Sequence, residues 1–384
     1  MRKDFILFGA IFFFIASFLN VAMARNSPNI FNKDTGEVIS VRHGASFMFT
    51  FNPDGSNFNF VREITGYAYF NAITYGNNTY VAVADDATIW YSKNNGKWTE
   101  ATLSGHAAFQ AVEYGDNGRF VAVATEGTIW YSDDGANWTE SLSPDLELYD
   151  PNFYEVIYAN RIFVAVGVVM GPVTAIFTST DGESWYVASI GPDNLPGIFE
   201  SIAYGNNTFV AVGTNGSIYM SNDNAKDWNN VSLPKNNNPY LDNDLYAVTY
   251  GKGVFVAVGD NASIWYSNNG TNWALASGIE QSSMTFSSVT YGNGVFVAVI
   301  ADTGWNLTDK TIWSSTDGVN WQAGGGNEPN KCASNEYSTF DSVDFFGDFF
   351  IATNRQPYSI AHYPEYYSTD GQNWSSVQQS MGGC

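Results

Sequence analysis

The stretch FQAVEYGDNGRFVAVATEGTIWYSDDGANW, from Phe109 to Trp138, contains the signals that decide the fold. A Gly/Asn turn leads into the apolar run Phe120 to Val123, and a second tight turn precedes the final tryptophan. Short runs rich in β-branched and aromatic residues, separated by Gly, Asn and Asp, predict antiparallel strands joined by turns. The stretch therefore predicts one four-stranded sheet, and nothing in it predicts a helix.

Seven copies of this unit fill the chain from about Phe70 to the end. They end at Trp98, Trp138, Trp185, Trp228, Trp273, Trp321 and Trp374, which are 40, 47, 43, 45, 48 and 53 residues apart. This period is typical of propeller blades. The Phe-Val-Ala-Val strand is apolar on both faces, as expected where blades stack around an axis. We predict an all-β, seven-bladed β-propeller of four-stranded antiparallel blades.

One position of the Phe-Val-Ala-Val strand is always a small residue. It is occupied by Ala82, Ala122, Ala165, Ala211, Ala257, Ala298 and Ala352. We attribute this to the close approach of neighbouring sheets, where a larger side chain would overpack at a cost of about 1–3 kcal/mol.

A degenerate half-unit at residues 47–62 precedes the first full repeat. It resembles the second half of a blade, with Phe58 in place of the tryptophan. It either adds strands beside the last blade and helps to close the ring, or it is the remnant of an eighth blade. We prefer seven blades and leave eight as the alternative. Residues 25–46 are predicted to be a polar leader, and residues 47–384 to form a single propeller domain.

The turn before each tryptophan is the most specific motif. Four copies read Ser-x-Asp-Gly-x-x-Trp and begin at Ser132, Ser179, Ser315 and Ser368, and looser copies begin at Ser92, Ser221 and Ser267. An Asp side chain can accept backbone N–H bonds inside a turn while Gly takes a positive φ. The motif resembles the Asp-box, or bacterial neuraminidase repeat, of sialidase-like propellers and of propellers similar to the photosystem II assembly factor. This resemblance implies a propeller, in which the box is a structural element remote from the active site.

The first 24 residues predict export. Arg2 and Lys3 precede an apolar run from Phe5 to Val21, and Ala22-Met-Ala24 forms a small-x-small cleavage site. We expect a secreted or periplasmic protein with no stable membrane anchor after cleavage. An uncleaved anchor is the alternative. The two cysteines agree with an oxidising compartment: a disulfide between Cys332 and Cys384 would close the last repeat.

Charge limits the class of partner. The chain has a net charge of −22, and so acidic a surface repels the phosphates of nucleic acids and anionic lipid head groups. We predict no nucleic-acid partner, no metal, no cofactor and a monomeric protein. A glycan or a protein partner, especially a basic one, remains compatible with this charge.

The copies differ mainly in the loops that join strand 2 to strand 3 and each blade to the next. In a propeller these loops share one face, and binding sites concentrate on loops that a rigid scaffold holds. Aromatic and acidic residues in these loops predict a binding surface made of Tyr240, Asp302, Trp305, Asp309, Tyr358, His362 and Tyr363. The alternative is that these side chains only cover the ends of the blades.

Enzyme function is the less favoured class. A sialidase needs three arginines to hold a carboxylate, but Arg119 and Arg161 fall in turns of the opposite face, and only Arg355 lies in a suitable loop. Another glycosidase would need two carboxylates. The candidates are Glu155, Glu200 and Asp341, predicted to share one position at the channel mouth, with Glu113 and Asp344 further along. These groups could equally be hydrated in a water-filled channel.

The sequence thus predicts an exported, non-enzymatic propeller that binds a glycan or protein partner through its variable acidic and aromatic face. The alternatives are a glycan-cleaving enzyme that uses the channel-mouth carboxylates and an assembly factor for a protein complex.

Overall fold

The computed structural model describes residues 29–31, 38–41, 47–51, 59–63, 70–93, 98–103, 105, 107–169, 173–188, 197–231, 233, 244–280, 282–301, 311–324, 340–346, 349–353 and 366–376. In the first four of these segments only the strands are described, not their side chains.

Almost all of the described chain is antiparallel sheet. An N-terminal sheet consists of β1 (Asn29–Phe31), β2 (Val38–Val41), β3 (Phe47–Phe51) and β4 (Asn59–Glu63). Blade 1 consists of β5 (Phe70–Gly76), β6 (Thr79–Ala84), β7 (Ile89–Lys93) and β8 (Thr99–Glu100); blade 2 of β9 (Phe109–Tyr114), β10 (Phe120–Ala124), β11 (Ile129–Ser132) and β12 (Thr139–Glu140); blade 3 of β13 (Asn152–Ala159), β14 (Ile162–Val169), β15 (Val173–Ser179) and β16 (Tyr186–Val187).

Four further blades follow the same order. Blade 4 consists of β17 (Phe199–Gly205), β18 (Thr208–Gly213), β19 (Ile218–Ser221) and β20 (Asn229–Asn230); blade 5 of β21 (Leu245–Gly251), β22 (Val254–Gly259), β23 (Ser263–Ser267) and β24 (Ala274–Leu275); blade 6 of β25 (Phe286–Gly292), β26 (Val295–Ile300), β27 (Ile312–Ser315) and β28 (Gln322–Ala323); blade 7 of β29 (Ser342–Phe346), β30 (Phe349–Thr353), β31 (Tyr366–Ser368) and β32 (Ser375–Ser376). The predicted fold class, a seven-bladed β-propeller of four-stranded antiparallel blades, is confirmed.

The first strand of each sheet lies innermost in the ring. From β5 onward, each first strand contacts the first strand of the next blade, up to β29 of blade 7. Strand β1 contacts both β5 and β29. The N-terminal sheet therefore lies between blades 1 and 7, where the ring closes.

The N-terminal sheet corrects two sequence-based expectations. Its strands β3 and β4 lie in the predicted half-unit, but β3 pairs with β2 and not with a strand of blade 7. Its strands β1 and β2 lie within residues 25–46, which were expected to be a polar leader. The structure thus contains one further four-stranded sheet in addition to the seven blades of the repeats. The polar residues between β1, β2 and β3 in the sequence hide these short strands.

The hydrophobic core lies between blades rather than within one. Val121 and Val123 of blade 2 pack in one cluster with Phe163, Ala165 and Trp185 of blade 3. Every alanine at the fixed strand-2 position is fully buried. These alanines leave room for the branched side chains of the preceding blade, which agrees with the expected close approach of the sheets.

Aromatic side chains complete each interface near one end of the blades. In blade 2 the ring centroid of Tyr114 lies 4.6 Å from that of Phe120, which lies 6.5 Å from that of Trp138. The same tyrosine covers Gly76 of blade 1, where a Cβ atom would lie 2.1 Å from the ring. Only glycine fits at that position, which explains the recurring Tyr-Gly pair at the end of the first strand.

One short helix lies outside the expected pattern. Helix α1 (Pro144–Tyr149) belongs to the connector between blades 2 and 3. The described part of the chain has no helix with the length and apolar character needed to cross a membrane.

Candidate functional site

The two faces of the ring are built from different connections. We call the face with the strand 1–2 and strand 3–4 turns the hairpin face, and the face with the strand 2–3 loops and the blade connectors the loop face. On the hairpin face, the Arg119 guanidinium donates to the Asp181 carbonyl (3.1 Å) and the Lys252 ammonium to the Thr316 carbonyl (3.0 Å). Each bond joins the strand 1–2 turn of one blade to the strand 3–4 turn of the next. The hairpin face is therefore occupied by contacts that hold neighbouring blades together.

The turn before each tryptophan is closed by its own side chains. In blade 6 the Ser315 hydroxyl accepts the Gly318 N–H (2.9 Å), and one oxygen of Asp317 accepts the Asn320 N–H (2.8 Å). The other Asp317 oxygen accepts the Asn320 amide (2.8 Å), and the Trp321 indole donates to the Gly318 carbonyl (3.1 Å). Although partial burial opposes it, this set of donors holds the pKa of Asp317 well below its usual range. The turn is thus a structural clip, by which we mean a turn whose own side chains fix its conformation and bind the tryptophan indole to it.

We expect Asp317→Ala to lower the free energy of unfolding by about 2 kcal/mol at pH 7, because hydrogen bonds to a charged group are lost. The folded-state pKa of Asp317 is depressed, so this stabilisation should decline as the pH falls below about 4. Urea unfolding at pH 7 and pH 3 measures both effects. Asp317→Asn is the matched control, because Asn269 fills this position in blade 5 and accepts the Asn272 N–H at 3.0 Å. Equal losses in both variants would contradict the hydrogen-bonding role.

The loop face contains the connections predicted to bind. The 2–3 loop of blade 2 meets the connector before blade 3, where the Glu126 N–H donates to the Asn152 side chain (2.9 Å). The predicted binding residues lie outside the described residues, as do both cysteines; they are Tyr240, Asp302, Trp305, Asp309, Tyr358, His362, Tyr363, Cys332 and Cys384. The described part of the loop face therefore consists mainly of the channel mouth and the shorter loops.

The channel mouth is shaped by a β-bulge near the start of the first strand. In blade 4 the register passes from Phe199 to Ser201, so that Glu200 is the extra residue. In blade 3 it passes from Phe153 to Glu155, so that Tyr154 is the extra residue. The prediction that Glu155 and Glu200 share one position is therefore wrong. Glu155 corresponds to Ser201, one residue beyond the bulge.

Bulge side chains link neighbouring blades. The Asn71 amide of blade 1 donates to the Phe109 carbonyl of blade 2 (2.7 Å), and the Ser287 hydroxyl of blade 6 donates to the Phe340 carbonyl before blade 7 (2.7 Å). Glu200 occupies the equivalent place in blade 4 and is buried, while Asp341, just before β29, is partly buried. This position is therefore a structural joint of the channel wall in at least two blades.

Glu155 makes a second kind of link across the wall. Its Oε2 accepts the Ile202 N–H of blade 4 at 2.7 Å. The hydroxyl oxygen of Ser201 accepts the Val248 N–H of blade 5 at 3.2 Å. These N–H groups lie on the inner edge of the innermost strands, which has no further strand to pair with. Glu155 thus accepts a backbone N–H from the following blade, as Ser201 does in the next blade.

Glu113, Glu155 and Glu200 belong to the innermost strands of three consecutive blades. The pKa of Glu155 is raised to about 8, mainly by desolvation and also by the charges of Glu113 and Glu200, although hydrogen bonds with Ile202 and Ser201 lower it. Desolvation also raises the pKa of Glu113 to about 7, although the Tyr114 N–H opposes the shift. At neutral pH this wall therefore holds protons that ordinary carboxyl groups would release. Asp344, the blade 7 counterpart of Glu113, accepts a bond from the Ser342 hydroxyl (3.1 Å).

The described cations lie on one face of the ring only. Every Lys or Arg whose side chain is described lies at the hairpin face: Lys93, Arg119, Arg161, Lys226 and Lys252. The hairpin face carries carboxylates beside these cations, for example Asp133 and Glu183, which pair with Arg119. The described loop face carries carboxylates and none of the described cations; the carboxylates are Asp85, Asp86, Glu126, Asp150, Asp244 and Asp260. Among the described residues, no three His, Cys, Asp or Glu side chains are grouped as ligands for a metal ion. The loop face is thus suited to a cationic partner by its overall field.

The comparisons with known proteins agree with the fold. No family model matches the chain, and no curated protein matches it. Solved structures similar to it include the Dos1 propeller, with a TM-score of 0.61, 9% identity, and coverage of 88% of this chain and 93% of that one. YCF48 bound to a D1 peptide gives a TM-score of 0.55 and 14% identity over 88% of this chain and 96% of that one. The computationally designed Ika8 protein gives a TM-score of 0.60 and 15% identity, over 87% of this chain and 93% of that one. At these identities the similarity shows the class of protein, a β-propeller, and no activity.

Proposed function

We propose that this protein is an exported, non-enzymatic binding module whose loop face recognises a protein partner through a basic segment. The observation that carries the proposal is that the described cations are confined to the hairpin face. The described loop face presents carboxylates, whereas all described cations lie on the hairpin face, where Arg119 and Lys252 already join blades. Complementary charge favours encounter with a cationic partner and disfavours an anionic one.

Two further points support a binding module. The hairpin face is built from repeated clips and inter-blade bonds, so variation between blades is concentrated on the loop face. The similar propeller YCF48 is described in complex with a D1 peptide, which is a precedent for peptide binding by this fold. The predicted aromatic residues Trp305, Tyr358 and Tyr363 would add apolar contacts to the acidic surface.

The export that we propose rests on the sequence of the first 24 residues, and the clip-like turns are consistent with the Asp-box resemblance. The disulfide between Cys332 and Cys384 remains part of the proposal. Its presence would be measured by the mass shift of alkylated protein with and without prior reduction.

A glycan-cleaving enzyme is the second candidate, because the wall carboxyl groups have the raised pKa values that a general acid needs. Against it, Glu155 is bonded to the Ile202 N–H and fills a position taken by serine in blades 4 and 6. This bonding gives Glu155 a sufficient structural role. A glycan remains the alternative ligand for the loop face.

We expect Asp86→Lys/Glu126→Lys to weaken binding of a basic peptide library at least about tenfold, because two exposed loop-face charges are reversed. The matched control is Asp227→Lys, an exposed reversal on the hairpin face, which should leave binding unchanged. A glycan array and glycosidase substrates are tested in parallel with Glu155→Gln/Glu200→Gln. Turnover by the wild type that this variant loses would replace the proposal with the enzyme. Equal binding by all variants would contradict recognition through the loop face.

A further inference from the structure

Most of the exposed large apolar side chains lie at one junction between two blades. Among the described residues, five large hydrophobic side chains are exposed, and four of them belong to the connector after blade 2 or to the last strand of blade 3. They are Leu142 (78% exposed), Leu148 (72%), Tyr186 (63%) and Tyr149 (39%). The fifth, Leu275, lies at the outer strand of blade 5. Concentrated apolar exposure of this kind marks interaction surfaces.

The connector is fixed to blade 3 by side chains that replace strand pairing. The Trp185 N–H donates to the Ser143 hydroxyl oxygen (2.7 Å), and the Val187 N–H donates to Asp145 (2.9 Å). Tyr186 is the residue between these two donors, so it lies beside the connector. Leu142 precedes the first acceptor. The two elements therefore present their apolar side chains on one outer edge of the ring.

Helix α1 holds the remaining side chains in place. Leu146 is buried in the cluster that contains Phe153 and Phe177, and the Tyr149 ring meets Phe177 edge-on at 6.4 Å between centroids. Because Leu146 anchors the inner side of the helix, Leu148 is left on the outside. The apolar edge is thus held in one conformation by the core beneath it.

The two other connectors that the structure largely describes, those after blades 1 and 5, do not share this exposure. In the connector after blade 1, Leu103 packs against the core between blades 1 and 2. In the connector after blade 5, Ile279 and Met284 pack against the core between blades 5 and 6. The fold can therefore bury apolar connector residues, and it leaves them outside between blades 2 and 3.

The surroundings of the edge are acidic. Glu147 and Asp150 are exposed on the connector, and neither takes part in the ion pairs found among the described residues. Of the described cations on either side of the connector in the chain, Arg119 is already paired with Asp133 and Glu183 (2.9 and 3.2 Å), and Arg161 lies in a turn of the hairpin face. A partner with apolar and positively charged side chains would match both properties of the edge.

From this geometry we infer that Leu142, Leu148 and Tyr186 form a second docking surface, the connector edge, for a basic amphipathic segment of another protein. The segment would cover the three apolar side chains and place its Lys or Arg groups near Glu147 and Asp150. This surface is separate from the loop-face site around the channel, so either can exist without the other.

A random peptide library displayed on phage, selected on the immobilised whole protein, tests the inference. We expect enriched peptides that combine apolar residues with Lys or Arg, and that bind L142S/L148S/Y186S at least about tenfold more weakly than the wild type. Their affinity should fall with rising salt and in Glu147→Lys, since part of the attraction is electrostatic. Leu275→Ser makes the same kind of substitution at the fifth exposed side chain and should leave the affinity of the peptides unchanged.

Three outcomes would overturn the inference: no enrichment, enriched peptides that bind the triple variant as well as the wild type, or enriched peptides without basic residues. Sedimentation of the wild type and of the triple variant tests whether a second copy of the chain, rather than a different protein, covers the edge. Self-association that the triple variant abolishes would mean that a second copy of the chain covers the edge. The substituted side chains are exposed, so the triple variant should unfold at the same temperature as the wild type. If the triple variant is destabilised, peptide binding by Glu147→Lys tests the inference independently.

Discussion

Glu155→Gln should stabilise the protein at pH 9 by on the order of 2–4 kcal/mol and change little near pH 4.5. The folded-state pKa of Glu155 is raised from 4.5 to about 8, mainly by desolvation, and each unit is worth about 1.4 kcal/mol. A raised pKa means that the folded protein keeps its proton while the unfolded chain has lost it. The contribution of the protonated Glu155 carboxyl group to the free energy of unfolding is therefore fully present below about pH 4.5. It is lost as the pH rises towards about 8. Glutamine keeps an oxygen for the Ile202 N–H and has no charge to desolvate.

Urea unfolding of wild type and variant at several pH values between 4.5 and 9 would measure this effect. Glu113, whose pKa is raised to about 7, and Glu200 face the same wall, so the wild type itself should lose stability over this range. Glu126→Gln is the control, since Glu126 is exposed on a loop. A variant as unstable as the wild type at pH 9 would show that the Glu155 carboxylate is well solvated.

Gly213→Ala should be the most damaging small substitution, with an expected loss of about 3 kcal/mol or more in the free energy of unfolding. A Cβ atom at Gly213 would lie 1.8 Å from the carbonyl oxygen of Ile198, which is backbone and cannot move aside alone. Gly213 ends β18 opposite the bulge that presents Glu200. Overpacking at such a site displaces the strand itself.

The matched control is Gly253→Ala, where no atom lies within 4 Å of the added Cβ and only a positive φ of 84° opposes the change. It should cost about 1 kcal/mol. Thermal and urea unfolding of both variants give the comparison. If the two variants were equally stable, the bulge would not need glycine opposite it, and the geometry of the channel mouth would have to be revised.

The repeats made most of the fold predictable, because each tryptophan and its turn mark one blade independently of the others. The N-terminal sheet was harder to predict, because Phe58 replaces the tryptophan and β1 and β2 are only three and four residues long. The helix was missed although Ser143 and Pro144 form a start signal, because it occurs in one connector and not in the repeat. Ser143 does not cap it with a side-chain bond, since its hydroxyl accepts the Trp185 N–H instead.

The candidate site was predictable in composition but not in register. Carboxyl groups near the start of the first strand are visible in the sequence, yet the bulge shifts Glu155 relative to Glu200 by one residue. A one-residue shift in a strand moves a side chain to the other face. The exposure of Leu142 and Leu148 could not be predicted, because a leucine in the connector after blade 1, Leu103, is partly buried against the core.

The central claim is that recognition occurs on the loop face and not on the hairpin face. Hydrogen–deuterium exchange of the whole protein, with and without a saturating basic peptide from the library, tests it most directly. We expect slower exchange in the 2–3 loops, including residues 125–127, and no change in the strand 3–4 turns at residues 133–137 and 316–320. Protection confined to these strand 3–4 turns would contradict the account and would assign binding to the hairpin face.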